Sequence, residues 1–233
     1  MIEKLSILKN SYLFQSLPDE MLQSISREAI ITFHKKREII YLPSSDRNYV
    51  YLLAKGKIKI SRLSEDGREI ITEIANPGDI FGETALFSEN ETDNMATALE
   101  KSAVLRFEAK ELKKLLAKFP QFALNMLRFA AEKKRDLENK IEDLALKNVA
   151  SRLARVLLQM ADIYGQKFND YIRIPAQLSQ QELGNLIGAT RETTSHFLNL
   201  LKKVGFIDFG KKEINILDRE KLRELSECLI SLN

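Results

Sequence analysis

The chain has 233 residues, of which 44% are hydrophobic, and this length and content favour two domains. No run approaches the roughly 18–20 consecutive apolar residues of a membrane-spanning helix, and the N-terminus lacks the apolar core of a signal peptide, so we expect a cytoplasmic protein. One cysteine and two histidines argue against a disulfide and against a structural metal site. The net charge of +3 does not by itself identify a nucleic-acid binder.

The first half of the sequence changes from helical to strand-like patterns. Short helices are predicted over residues 1–30, and residues 16–20 are typical of a capped helix start. From residue 30 to about 107, β-branched and aromatic runs alternate with turn signals, with runs at 39–41, 49–53, 58–60, 70–74 and 103–107. Strands this short and evenly spaced predict a compact antiparallel barrel or roll.

A helical pattern follows from residue 109 to about 161, and Pro120 predicts the start of a new helix within it. A narrow apolar stripe with a 4,3 spacing runs along this helix, and its other faces are heavily charged. Such a helix needs a partner helix, most simply its own copy, although it can also lie on the β domain of its own chain. The candidate dimerisation residues of this stripe are Leu127, Ala130, Lys134, Leu137, Ile141 and Leu144.

The last third has the element order of a winged helix-turn-helix. A helix at 149–160, a polar loop at 162–170 and a strand at 171–174 precede two helices separated by Gly188, and a hairpin is predicted over 206–216. Ser179 and Glu182 form a capping-box pattern, Gly188 permits the sharp turn, and Thr190 caps the next helix.

The helix that begins at Arg191 carries a polar stripe suited to reading DNA. Arg191 can bond bidentately to guanine, and Glu192 can accept a hydrogen bond from cytosine. Lysines at the helix end and the wing tip are placed where phosphates would pass, although an ordinary charged surface is the alternative. The candidate DNA-binding residues are Ser179, Gln181, Thr190, Arg191, Glu192, Thr193, Ser195, His196, Asn199, Lys202, Lys211 and Lys212.

Two motifs in this order, PGDIFGETALF at 77–87 and GATRETTS at 188–195, are joined by the long helix. Over about residues 10–225 the chain therefore resembles the catabolite activator/FNR (CRP/FNR) family of bacterial transcription regulators. The resemblance implies an α+β architecture with a cyclic-nucleotide-binding-type antiparallel β-roll over 1–115, a dimerisation helix over 116–147 and a winged helix-turn-helix over 148–233. It also implies a homodimer that reads a palindromic site in double-stranded DNA, with half-sites roughly 34 Å apart.

The effector pocket implied by the resemblance departs from the family pattern. Members that bind cyclic nucleotides carry an arginine for the phosphate where this chain has Asp93–Asn94 or Asn94–Met95, depending on the alignment. Residues 69–100 contain eight carboxylates and no Lys or Arg, so control by cyclic AMP is not expected. Glu83 either meets a ligand ribose or caps a helix. The implied pocket residues are Gly82, Glu83, Thr84, Asn94 and Met95.

Other sensing chemistries of the family also meet few suitable residues. A single cysteine excludes an iron–sulfur cluster, and Cys228 is either a redox switch or a buried structural residue. Haem has two candidate histidine ligands, of which His34 lies beside two lysines in an expected surface turn and His196 lies on the expected DNA-reading face. Three alternatives for the signal stay open. They are a small effector that is apolar or tolerates acidic surroundings, a protein partner, and activity without any ligand.

Two further expectations follow from the resemblance. His196 occupies the position of the family's second base-reading arginine, so the identity of the base pair read there is not predicted. The loop 162–170 corresponds to where some activators contact RNA polymerase.

An enzyme is not expected, because the sequence offers no nucleophile–base pair, metal-ligand spacing or phosphate-binding glycine loop. A nucleotide- or haem-responsive signalling module of the same fold is the alternative, and the winged helix argues against it.

Overall fold

The chain forms helices and strands in the blocks that the sequence predicts. The computed structural model describes residues 3–43, 48–87, 93–175, 178–210 and 213–229. Its helices are α1 (Lys4–Asn10), α2 (Asp19–Glu28), α3 (Ala109–Lys118), α4 (Pro120–Leu146), α5 (Val149–Tyr164), α6 (Gln180–Ile187), α7 (Arg191–Lys203) and α8 (Arg219–Glu227). Its strands are β1 (Ile30–His34), β2 (Ile39–Tyr41), β3 (Tyr49–Lys55), β4 (Ile58–Leu63), β5 (Glu69–Ala75), β6 (Ile80–Phe81), β7 (Asn94–Ala98), β8 (Ser102–Glu108), β9 (Gln166–Lys167), β10 (Ile172–Pro175), β11 (Ile207–Phe209) and β12 (Glu213–Ile216).

The chain divides into two compact units, Met1–Arg135 and Asp136–Asn233. The first contains two four-stranded sheets with the strand orders β1-β8-β3-β6 and β2-β7-β4-β5. The strand pairings in both sheets are antiparallel. A short 3-10 helix, Glu83–Leu86, follows β6. This arrangement confirms the predicted α+β class with an N-terminal antiparallel roll.

Strand β3 lies between two hydrophobic cores, which explains its uninterrupted apolar sequence. Side chains alternate across a strand, so residues two apart share a face. Val50 and Leu52 pack into a core with the first four helices, whereas Tyr51 and Leu53 pack into the interior of the roll. A strand that is buried on both faces has no polar positions to alternate with, and its pattern is a continuous apolar run.

The first half of α4 is fixed to the N-terminal unit by one buried polar residue as well as by apolar packing. Phe122, Met126 and Phe129 belong to the helical core. The Asn125 side chain, also buried, donates from Nδ2 to the Leu13 carbonyl at 3.3 Å and to Ser16 Oγ at 3.0 Å. These bonds satisfy the buried amide group, which would otherwise carry a desolvation cost.

Three local expectations differ from the structure. Helix α2 begins at Asp19 without a side-chain cap, because its N-cap residue is Pro18, and the Ser16 hydroxyl accepts from Asn125. Strand β6 (Ile80–Phe81) is too short for a strand pattern, and β7 begins with Asn94 and Met95, so it lacks the β-branched or aromatic run that predicts a strand. Both strands form because they pair with longer neighbours, β3 and β4.

The C-terminal unit has the winged helix-turn-helix order. Asn148 caps α5, and its Oδ1 accepts from the Ser151 amide at 2.9 Å. The sheet of this unit has the order β11-β12-β10-β9, with β11 and β12 forming the hairpin that the sequence predicts. Within the described ranges, no helix combines the length and apolar content needed to cross a bilayer.

Candidate nucleic-acid interface and effector residues

The helix-turn-helix is built by the local signals that its sequence contains. At the start of α6, the Ser179 hydroxyl accepts from the Glu182 amide at 3.2 Å, and the Ser179 amide donates to Glu182 Oε2 at 2.7 Å. These two bonds are the predicted capping box, which satisfies amides that a helix start leaves free.

The turn between α6 and α7 requires glycine at two positions. Gly188 ends α6 with φ 66° and ψ 45°, in the left-handed region. A Cβ at Gly184 would lie 2.7 Å from the Ala189 carbonyl oxygen and 3.0 Å from Thr194 Oγ1. The two helices therefore approach at backbone distance, and buried Thr194 completes the contact by donating to the Thr190 carbonyl at 2.8 Å.

The start of α7 presents one cation and one anion to solvent. Thr190 is the N-cap, and its hydroxyl accepts from the Thr193 amide at 3.2 Å. Arg191 and Glu192 are exposed. The backbone amide of Glu192 and then the Thr190 hydroxyl lower the pKa of the Glu192 carboxyl below its ordinary value. At neutral pH this position therefore holds an ionised hydrogen-bond acceptor beside a guanidinium.

The remaining predicted DNA-binding residues of α7 are separated by exposure. His196, Asn199 and Lys202 are exposed, whereas Thr193 and Ser195 are half-buried. We refer to the exposed residues Arg191, Glu192, His196 and Asn199 as the reading face. On the opposite side, Leu198 and Leu201 are buried, so α7 is anchored with this face free.

Besides Thr190, the predicted DNA-binding residues Lys202, Gln181 and Ser179 have partners within the chain. Lys202 Nζ lies 2.6 Å from Asp208 Oδ1 and over the Phe209 ring at 5.2 Å, so its charge is partly neutralised. The Gln181 amide donates to Asn185 Oδ1 at 2.8 Å, and the Ser179 hydroxyl serves the cap. Lys211 and Lys212 lie outside the described residues.

The predicted effector residues belong to two segments of the N-terminal unit. Gly82 is left-handed at φ 73°, and a Cβ there would lie 3.1 Å from the Tyr51 ring. Glu83 and Thr84 begin the 3-10 helix. Asn94 and Met95 begin β7, where they pair with Arg62 and Ser61 of β4.

The sequence of residues 69–100 does not reveal two cations that the fold brings beside this segment. Arg62 forms an ion pair with Asp93, and Lys133 of α4 forms one with Glu73 of β5. Both ion pairs join residues that are far apart in the chain, and a single sequence does not show which distant residues meet. The absence of Lys and Arg from residues 69–100 therefore does not leave this region without a guanidinium, since Arg62 supplies one that the Asp93 carboxylate already occupies.

Carboxylates nevertheless dominate the surroundings of Glu83. Burial raises the pKa of Glu73, and the Lys133 ammonium offsets part of that rise. The charges of Glu83 and Asp79 raise it further. Burial also raises the pKa of Asp79. These shifts indicate a region that already resists additional negative charge.

Of the residues considered for haem and redox chemistry, His34 has local partners and Cys228 faces solvent. His34 Nε2 lies 2.9 Å from Thr32 Oγ1, and its Nδ1 lies 3.1 Å from Glu38 Oε1, so both ring nitrogens are engaged. Cys228 is exposed, which corrects the expectation of a buried structural cysteine. Among the described residues, no group of three or more His, Cys, Asp or Glu side chains is arranged to hold a metal ion.

Comparison with known families assigns both units. Residues 31–119 match a model described as a cyclic nucleotide-binding domain, and residues 151–225 match a Crp-like helix-turn-helix domain. A global nitrogen regulator from Synechococcus elongatus is 30% identical over 186 residues, covering 79% of this chain and 84% of the relative. The chain belongs to the CRP/FNR family. It is therefore a DNA-binding transcription regulator of CRP/FNR type, and its relatives are not enzymes.

Other CRP/FNR relatives span nearly the whole chain. A CRP-like cAMP-activated global transcriptional regulator from Mycobacterium tuberculosis is 27% identical over 216 residues, covering 93% of this chain and 96% of the relative. The solved structure of FixK2 from Bradyrhizobium japonicum has a TM-score of 0.75 and 26% identity, covering 86% of this chain and 98% of that one. These matches confirm the fold predicted for both ends of the chain.

Proposed function

We propose that this chain is a homodimeric regulator that binds a palindromic promoter site, with α7 in the major groove of each half-site. The observation that carries the proposal is the reading face at the start of α7. Arg191 and Glu192 are exposed there, while Leu198 and Leu201 on the opposite side of the helix are buried. A guanidinium bonds bidentately to guanine, and a carboxylate accepts from cytosine N4, so this pair suits a G·C-containing half-site.

Selection of binding sites from random duplex DNA tests the DNA-reading proposal. The wild type should enrich a palindrome. Arg191→Ala should weaken binding to that palindrome by about 1–3 kcal/mol while changing non-specific binding much less. Lys113→Ala is the matched control, since it removes an exposed cation from α3 in the other unit. Equal loss in both variants, or equal binding of Arg191→Ala to every sequence, would refute the role of Arg191.

The dimer proposal rests on the apolar stripe of α4. Leu127 is 66% exposed, Leu137 50% and Ile141 57% in the single chain. Full burial of such a side chain is worth about 1.5–3 kcal/mol, and these residues have about half of that still to gain, so a long helix that leaves them in water is poorly stable alone. A second copy of α4 supplies the same stripe in the same spacing and covers it.

Sedimentation equilibrium tests the dimer. Leu137→Glu should convert the dimer to monomer, because two carboxylates would face each other across the helix pair. The monomer should lose affinity for the palindrome much more than for an isolated half-site. Arg135→Glu introduces the same side chain on an exposed position off the stripe and should remain dimeric. A Leu137→Glu protein that stays dimeric contradicts the α4 interface.

We also propose that cyclic AMP does not control this regulator. The Mycobacterium tuberculosis relative is named as cAMP-activated. In this chain Asp93 holds Arg62, Glu73 holds Lys133, and Asp79 and Glu83 add negative charge. An anionic phosphate would have to displace a carboxylate from either cation and would remain among the others.

DNA binding followed by fluorescence anisotropy tests this point, with the Mycobacterium tuberculosis relative as the positive control. The affinity of this chain for its selected palindrome should be the same with and without a large excess of cyclic AMP. A rise in affinity comparable to that of the control would refute the proposal.

RNA polymerase is the proposed protein partner, through the segment 162–170. Phe168 is 42% exposed and stacks on Tyr171 at 4.8 Å between ring centroids, and Arg173 lies over Phe168 at 4.5 Å. An exposed aromatic side chain that its neighbours hold in place suits a protein contact.

A further inference from the structure

A cavity of about 650 Å³ lies in the N-terminal unit, apart from the residues of the reading face, the apolar stripe and the predicted effector pocket. It is bounded by α2, the start of β3, the end of β8 and α3. Its volume lies within the range of about 300–1,000 Å³ that is typical of small-molecule sites.

The floor of the cavity is apolar and continuous with the helical core. Ile25 comes from α2, Ala29 directly follows that helix, and Leu112 and Leu115 come from α3. All four are buried members of the core that also contains Phe107. A ligand on this floor would therefore meet a packed surface, which favours an apolar ligand body.

The rim of the cavity has a net positive charge, because the charged residues that do not pair with each other include more cations than anions. Lys110 pairs with Glu108 at 2.6 Å, and Lys114 pairs with Glu111 at 2.8 Å. The remaining charged lining residues are Arg106, Lys118 and Glu28, and none of these three is in an ion pair within the described part of the chain. One positive charge is thus left over, which a single anionic group would balance.

Arg106 is the residue best placed to receive that anion. Its guanidinium carbon lies 4.3 Å from the centroid of the Tyr49 ring, so the group stacks on an aromatic face at the cavity wall. Its Nε atom is buried and has no hydrogen-bond partner among the described residues. A buried donor without an acceptor is costly, so the guanidinium gains when a turn of the Arg106 side chain brings its N–H groups to an anionic oxygen in the cavity.

We propose that this cavity binds a small monoanionic amphiphile, with its apolar body on the floor between α2 and α3 and its anionic group at Arg106. The site is independent of the DNA-reading proposal, because every residue that forms it belongs to the N-terminal unit. It gives the regulator a place for a small-molecule signal that does not require the carboxylate-rich effector residues.

Isothermal titration calorimetry with decanoate as the probe tests the proposal on the full chain. Decanoate should bind saturably with one molecule per chain, and the uncharged decanol should bind more weakly. Arg106→Gln should lower the affinity for decanoate at least about tenfold, because it removes a charge-assisted hydrogen bond. Ser24→Trp, which places a large side chain at an exposed lining position on α2, should abolish binding.

Lys113→Gln is the matched control, since Lys113 lies on α3 but does not line the cavity. It should bind decanoate as the wild type does, and thermal unfolding of each variant reports whether it is folded. Absence of saturable decanoate binding to the wild type overturns the proposal. Equal affinity in the wild type, Arg106→Gln and Lys113→Gln also overturns it, and so does tight binding of an amphipathic helical peptide that decanoate does not displace.

Discussion

The left-handed glycines at the two ends of the recognition helix α7 permit a matched test of how the helix is held. Gly188, before α7, has φ 66°, and Gly205, after it, has φ 77°. Alanine in this conformation costs about 1–2 kcal/mol because its Cβ approaches the following carbonyl oxygen. The two sites differ in surrounding space. A Cβ at 188 would lie 2.7 Å from Leu144 Cδ2, whereas one at 205 would meet no described atom within 4 Å.

The conformational cost is therefore common to both substitutions, and the steric cost belongs to Gly188 alone. Gly205→Ala should lower the free energy of unfolding by about 1–2 kcal/mol. Gly188→Ala should lower the free energy of unfolding by about 1 kcal/mol more than Gly205→Ala does. This is the low end of the cost of overpacking, because the end of the Leu144 side chain can shift. In a Leu144→Ala background the contact is absent, and the cost of Gly188→Ala should fall to that of Gly205→Ala.

Urea unfolding of the four variants measures these costs, and the interaction energy follows from the double-mutant cycle between positions 144 and 188. DNA binding to the selected palindrome gives a second readout, because a shifted turn changes the direction in which α7 leaves α6. Equal costs at 188 and 205, or an additive double mutant, would refute the contact between the turn and Leu144.

Three further outcomes are expected. His196→Arg adds a bidentate donor to the reading face, so site selection should gain a guanine preference worth about 1–3 kcal/mol, and an unchanged site would mean that residue 196 contacts no base. Phe168→Ala should reduce transcription by RNA polymerase in vitro while DNA affinity stays unchanged, and equal transcription would exclude Phe168 from that contact. Burial raises the pKa of Glu73, so ionising this carboxyl costs stability as the pH rises through the ordinary glutamate range. Glu73→Gln should therefore flatten the dependence of the urea unfolding free energy on pH over that range, whereas curves that stay parallel would contradict the shift.

The helix-turn-helix was predictable from sequence because its determinants are local. Ser179 and Glu182 are three residues apart, and Thr190 and Gly188 each act on the turn of chain beside them. A cap or a left-handed glycine satisfies backbone groups within one helical turn, so the pattern alone specifies the geometry. The strand at 49–53 was predictable for a different reason. Its five consecutive apolar residues are themselves the pattern of a strand that is buried on both faces.

The contacts that sequence reasoning missed join residues far apart in the chain. Ser16 accepts from Asn125, and Lys133 neutralises Glu73, so neither a cap at Ser16 nor an uncompensated acidic segment survives in the structure. Strand β7 has little strand propensity and forms by pairing with β2 and β4. This pairing places Arg62 of β4 opposite Asn94, so the cation nearest to this segment comes from a strand about thirty residues earlier in the chain.

Helix α4 has different partners along its length, and this explains why one helix supports two expectations that looked exclusive from sequence. Phe122, Met126 and Phe129 are spaced to form one face, and this face is buried in the N-terminal core. The stripe from Leu127 to Leu144 begins one residue out of phase, which places it about 100° away around the helix axis. The helix can therefore lie on its own β domain and still offer an apolar seam to a second copy, so packing within the chain is no argument against the dimer.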